Sequence, residues 1–166
     1  MRFLGIDPGY SLLGFGIVDE ESETFSLVKA GVIDTSSQQD FNQKLVIIYS
    51  SLSSLISEYK PDMVCVEEIF FGKNVKTGMK VAQMVGVVKL AVLQKNITLV
   101  GITPSEVKRL IVGSKGKHPK VQIQNLVRML LRLNEIPKPD DCADAIAVAI
   151  AGASKARVCR VLPKQL

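Results

Sequence analysis

Apolar residues fall in short blocks over the first third of the chain and recur at three- and four-residue spacing over much of the rest. Residues 2–7, "RFLGID", form a short apolar block closed by Asp7 and predict a strand. Pro8-Gly9 turns the chain, and Leu12 to Val18 predicts a second strand. Phe25 to Ile33 alternates well enough for a third, so the three read as an antiparallel meander. The period then changes. From Gln39 to Tyr59, Phe41, Leu45, Ile48, Leu52, Leu55 and Ile56 fall on one helical stripe, which Pro61-Asp62 stops. "MVCVEE", Met63 to Glu68, is an apolar run ending in two acids and reads as a buried parallel strand.

Ile69 to Gly78 reads as a loop, and Met79 to Leu93 as a helix that is apolar on most sides. Ile97 to Ile102 is a fifth strand. Thr103-Pro104 supplies a capping residue and a first-turn proline for a helix ending near Val112. "GSKGKHPK", Gly113 to Lys120, is a basic loop. Val121 to Leu133 is helical, and two prolines break it. Asp140 or Asp141 opens an alanine-rich helix to about Ala153, followed by a basic end. Strands first, then alternating helix and strand, predict an α/β chain: a mixed five-stranded sheet flanked by helices. We expect one domain over residues 1–155 and a basic tail over 156–166.

The bulk properties narrow the class. A hydrophobic fraction of 47% over 166 residues suits a globular domain with a sizeable core. No apolar run approaches the roughly 18 residues of a membrane span, and the first apolar block is too short for a signal peptide. Cys65, Cys142 and Cys159 are widely spaced, and with His118 as the one histidine they make no zinc pattern. Three thiols suit a reducing cytoplasm. A net charge of +5 suggests an anionic partner such as nucleic acid.

Acids mark three places. Asp7 ends the first strand, Glu67 and Glu68 end the fourth, and Asp140, Asp141 and Asp144 open the last helix. Each abuts apolar sequence, where an ionised group is costly unless paired or bound to a cation. Asp141 and Asp144 share a helix face by their spacing, and Asp140 and Asp144 share one nearly as well. Acids drawn from two strand ends and a helix could hold Mg²⁺, a hard ion with oxygen ligands, for phosphodiester cleavage. Simpler accounts exist for each: Asp7 as a turn former before Pro-Gly, Asp140 or Asp141 as an N-cap, Glu68 as a solvated strand end.

"GIDPG" near the start, "VCVEEIFFGKN" in the middle and "DDCADAIAVAIA" near the end, in this order over nearly the whole chain, resemble the RuvC family of Holliday junction resolvases. The resemblance implies a ribonuclease H-like fold and a Mg²⁺-dependent homodimer that cleaves four-way DNA junctions, with one or two ions and Mn²⁺ as a substitute. It implies Asp7, Glu67, Asp141 and Asp144 as catalytic and metal-binding acids, and branch-migration proteins as partners. Glu68 and Asp140 stand beside two of these acids and leave the assignment open by one residue at each.

Basic residues follow the acids. Lys73, Lys76 and Lys80 lie just beyond the fourth strand; Lys108 and Arg109 lie on the helix after the fifth strand, and Lys115, Lys117 and Lys120 in the basic loop that follows it. They could neutralise DNA phosphates or form a solvated charged face. Lys73, Lys76, Lys108, Lys115, Lys117 and Lys120 are our candidates for DNA contact. The resemblance places Lys108 and Lys120 near the scissile strand and implies that Phe70 stacks on an unpaired base, with Phe71 as the neighbouring alternative.

Two other functions deserve comparison. "GIDPG" also opens sugar-kinase and actin-like ATPases, but the chain is short for two nucleotide-binding lobes. A DNA-binding scaffold would gain nothing from acids that repel DNA. A twofold dimer is expected on the helix from Met79 to Leu93. Its broad apolar face is Val81, Met84, Val85, Val88, Ala91 and Val92, and Ala82, Val87, Leu90 and Leu93 carry apolar groups around the circumference.

Overall fold

The structure is a computed structural model that describes residues 1–68, 75–113 and 119–161, with backbone alone at 75–76 and 158–161. The meander forms as expected, from β1 (Arg2–Pro8), β2 (Leu12–Glu21) and β3 (Thr24–Asp34). β2 runs past Val18 because the polar stretch Asp19–Glu21 pairs with Thr24–Ser26 at the sheet's outer end. Ser22 and Glu23, both at positive φ, make the tight reversal between them.

α1 (Phe41–Tyr59) starts at an Asp40 cap and is followed by β4 (Met63–Glu67). α2 (Val75–Leu93) begins inside the stretch expected to be loop. Gly78 reads as a break, yet a helix glycine costs only about 1 kcal/mol against alanine, which a long apolar face readily offsets. β5 (Thr98–Ile102) leads into α3 (Pro104–Val112), whose Thr103–Glu106 capping box satisfies the first free N–H groups. α4 (Lys120–Leu130) starts one residue earlier than expected and ends three earlier. α5 (Asp140–Val161) continues beyond Ala153, its Arg157 paired with Glu20 and Glu23 of the meander.

The sheet order is β3-β2-β1-β4-β5, with β1, β4 and β5 parallel and the meander antiparallel. Alternation along the strands sends residues to two cores. Leu4, Ile6, Val64 and Val66 pack with Ile48, Leu52 and Ile56 of α1 and Met84 and Val88 of α2. Phe3 and Cys65 face the other way, among Ile146, Ala149 and Ile150 of α5. Val107 of α3 and Ile123 and Val127 of α4 then cover the far side of α5. A helix sandwiched in this way must be apolar all round, which explains the alanine-rich sequence from Cys142 to Ala153.

α2 differs. Val81, Met84, Val88, Ala91 and Val92 are buried, whereas Met79, Ala82, Gly86, Leu90 and Leu93 form an exposed stripe at helical spacing. Among the described residues no helix is long and apolar enough to cross a membrane.

Candidate active site

The parity that builds the core also aims the acids. On β1, Phe3 and Asp7 share the α5 face; on β4, Cys65 and Glu67 do. β1 and β4 are paired as far as Ile6 and Val66, so the next residue of each strand, Asp7 and Glu67, lies beside the other. Glu68 has the opposite parity. It is exposed, and its carboxylate lies against Gly101 of β5.

α5 brings the third acid. Its N-terminal turns lie so close to the sheet that a Cβ on Gly14 would collide with the Asp141 carbonyl, and one on Gly5 with the Ala145 carbonyl. Bare backbone at these positions lets the helix settle onto β1 and β2 with Asp141 and Asp144 facing Asp7. The sequence reading passed over these glycines. Their signal was present: isolated glycines inside strands mark the close approach of another backbone.

The electrostatics bear the mark of convergence. Burial, aided by the charges of Glu67, Asp144 and Asp141, pushes the Asp7 carboxyl up to about 7, and in its protonated form it hydrogen-bonds to Glu67. Burial also raises Glu67, opposed by that hydrogen bond and by the charges of Lys108 and Lys120. Asp144 is raised by burial against the pull of Lys120, whose Nζ lies 2.6 Å from its carboxylate. Asp140, by contrast, is exposed and paired at 3.2 Å with Lys138, which holds its carboxyl below the usual range.

The bases divide. Lys120 opens α4 and pairs with Asp144 at 2.6 Å and Asp140 at 3.9 Å. Lys108, on α3, lines with Glu67, Lys120 and Asp144 a groove of about 220 Å³. Lys76 lies in the first turn of α2, its side chain outside the described residues. Phe70, Phe71, Lys73, Lys115, Lys117 and His118 also lie outside the described residues.

The donor set suits a hard cation: carboxylates half-buried together, raised by one another's charge, with a lysine ammonium as the cation in contact. Among the described residues no three of these groups stand close enough to ligate one ion as placed. The acids converge electrostatically, with Lys120 held on the Asp144 carboxylate.

Residues 3–152 match the family model described as crossover junction endodeoxyribonuclease RuvC. A protein of that description from Caldicellulosiruptor saccharolyticus is 46% identical over 151 residues, covering 90% of each chain. Among solved structures, the RuvC of Thermus thermophilus in complex with a Holliday junction substrate superposes with a TM-score of 0.87 at 30% identity, covering 95% of this chain and 96% of that one. A yeast mitochondrial Holliday junction resolvase, 14% identical with a TM-score of 0.69, covering 96% of this chain and 83% of that one, shares the fold. The architecture is the expected ribonuclease H-like one.

Proposed function

The chain belongs to the RuvC family of crossover junction endodeoxyribonucleases and, as a member, resolves Holliday junctions by hydrolysing phosphodiesters; on that footing we propose that Asp7, Glu67, Asp141 and Asp144 form its cutting centre and hold one or two Mg²⁺ ions. The observation that carries this reading is the placement of Asp7 and Glu67 on neighbouring strands, half-buried under the start of α5 with Asp141 and Asp144, because a protein gathers acids at a cost that a bound cation offsets. Mg²⁺ bound there would supply Lewis acidity and a water of lowered pKa.

The chain's own groups do the rest. Lys120 and Lys108 line the groove beside the acids and neutralise the phosphate that enters it. Water attacks phosphorus and the bond to the 3′ oxygen breaks, leaving a 5′-phosphate and a 3′-hydroxyl. On DNA, Lys120 exchanges its Asp144 contact for the phosphate, which frees that carboxylate. Glu68 and Asp140 stand aside, one against Gly101 and the other on Lys138. Phe70, Lys73, Lys76, Lys115 and Lys117 are the further residues proposed to contact DNA.

The protein acts as a homodimer across the exposed stripe of α2. Met79, Ala82, Gly86, Leu90 and Leu93 supply a patch that a twofold axis uses twice, and a four-way junction offers two strands to nick. Cytoplasmic work beside branch-migration proteins fits the reading, as do Cys65 and Cys142, buried and unpaired.

Titrating Mn²⁺ into the metal-free protein tests the centre directly. Saturable binding that Asp7→Asn and Asp144→Asn each weaken at least tenfold is expected. Equal binding by wild type and both variants would contradict it.

A further inference from the structure

The turn that follows Asp7 carries a second feature, on the sheet face opposite α5. Tyr10 stacks on Phe41 at the start of α1, ring centres 6.3 Å apart and planes 7° from parallel. Two ammonium groups attend this pair. Lys44 Nζ lies 4.5 Å from the Tyr10 ring centre, and Lys80 Nζ lies 5.4 Å from the centres of both rings. Lys80 also donates to the Tyr10 hydroxyl at 3.4 Å, which leaves that hydroxyl its own proton to give.

Lys44 is the unusual member: its stem is buried, the residue being only 3% exposed, its ammonium is not among the enclosed unpartnered atoms, and among the described residues it makes no hydrogen bond or ion pair. Its charge acts on Asp34, which is itself exposed. An aromatic face returns about 0.5–2 kcal/mol to a cation, and a charge-assisted hydrogen bond to an anion adds to that. Two like charges held around one ring add repulsion. The cluster is short of an anion.

Position indicates which anion. Tyr10 is three residues past Asp7, a span of at most ~11 Å. A DNA strand carries one phosphate per about 3.4 Å of axis. A strand presenting its scissile phosphate to Asp7 therefore passes other phosphates within reach of the two lysines. The acids at the cutting centre repel DNA, and Lys44 and Lys80 would add to the compensation that Lys108 and Lys120 give in the groove.

We propose that Tyr10, Lys44 and Lys80 form a second phosphate site, which holds the backbone of the nicked strand about two to four nucleotides from the cut. The site rests on the reading of the chain as a junction endonuclease. It acts on grip and placement, and takes no part in the chemistry.

The test uses a labelled four-way junction in excess chelator, with affinity measured against salt for wild type, Lys44→Met, Lys80→Gln and the double variant. Methionine keeps the buried stem of Lys44 and removes its charge. The double variant should flatten the slope of log K against log salt by roughly 0.9 and bind about eightfold more weakly at 0.1 M salt. One uncharged methylphosphonate, two to four nucleotides from the cut, should reproduce that loss in wild type and add nothing to the double variant. Unchanged slope and affinity, or losses that multiply, would overturn the site. Should Lys44→Met fail to fold, Lys80→Gln carries the test: a loss of twofold or more that the methylphosphonate abolishes supports the site, and no loss overturns it. Failure of the functional reading looks different. A wild-type protein that neither binds nor cuts the junction overturns both, whereas failure of the phosphate site leaves wild-type cutting intact.

Discussion

Burial near the end of β1, in a place that two other acidic segments also enter, pushes the Asp7 carboxyl up to about 7. Its folded pKa lies above its unfolded one. Between about pH 4 and pH 7 the folded protein therefore keeps a proton that the unfolded chain has released. This group's contribution makes metal-free stability fall as pH rises through that window and level off above it. Asp7→Asn removes the cost, and thermal unfolding in chelator at pH 7.5 should show a stabilisation on the order of 1–3 kcal/mol. A metal-free Asp7→Asn protein less stable than wild type would refute the mutual repulsion. The neighbouring acids part by parity. Glu67→Gln should reduce junction cutting at least a hundredfold and Glu68→Gln less than fivefold, because Glu68 faces Gly101; Asp141→Asn should likewise outweigh Asp140→Asn. Equal losses within either pair, measured as single-turnover rates, would place both acids in the site. The sequence left these pairs open for a physical reason. Strand alternation tells which residues share a face, but only the docking of α5 tells which face holds the chemistry.

At the scale of elements, α5 decides the site, and glycines decide where α5 lies. The strands were legible because apolar blocks between turn residues report burial directly. α1 was legible from its stripe, and α3 from its Thr103-Pro104 start. The start of α2 was not, since polar residues around Gly78 read as loop when nothing reveals the packing of the turns that follow. The close seat of α5 was equally hidden, because a missing side chain has no periodicity. Its importance can be measured. Gly14→Ala drives a Cβ into the Asp141 carbonyl, and backbone cannot yield as a flexible side chain does. We expect a destabilisation of about 1–3 kcal/mol and, in protein that remains folded, cutting down by roughly a hundredfold through misplacement of Asp141 and Asp144. Denaturant unfolding and single-turnover cutting report the two separately, and wild-type rates in Gly14→Ala would show that the helix seat is not what positions the acids.

The whole molecule joins a cluster of half-buried acids to a chain of net charge +5, with Lys108 and Lys120 beside that cluster. It also carries an apolar stripe on α2 that its own sheet leaves open, with Leu90 and Leu93 each more than half exposed. Light scattering should give twice the 18.1 kDa chain mass for wild type and the single mass for Leu90→Glu. A wild-type monomer at micromolar concentration would refute the twofold arrangement. Centre and dimer together make one claim, that two acid clusters act on one junction. A supercoiled plasmid with an extruded cruciform tests it most directly. Two nicks placed in one binding event linearise the plasmid, whereas unpaired nicks relax it to an open circle. With Mg²⁺ the wild-type protein should yield linear product, Leu90→Glu chiefly open circle, and Asp7→Asn neither. Linear product from Asp7→Asn, or from wild type in excess chelator, would contradict the account.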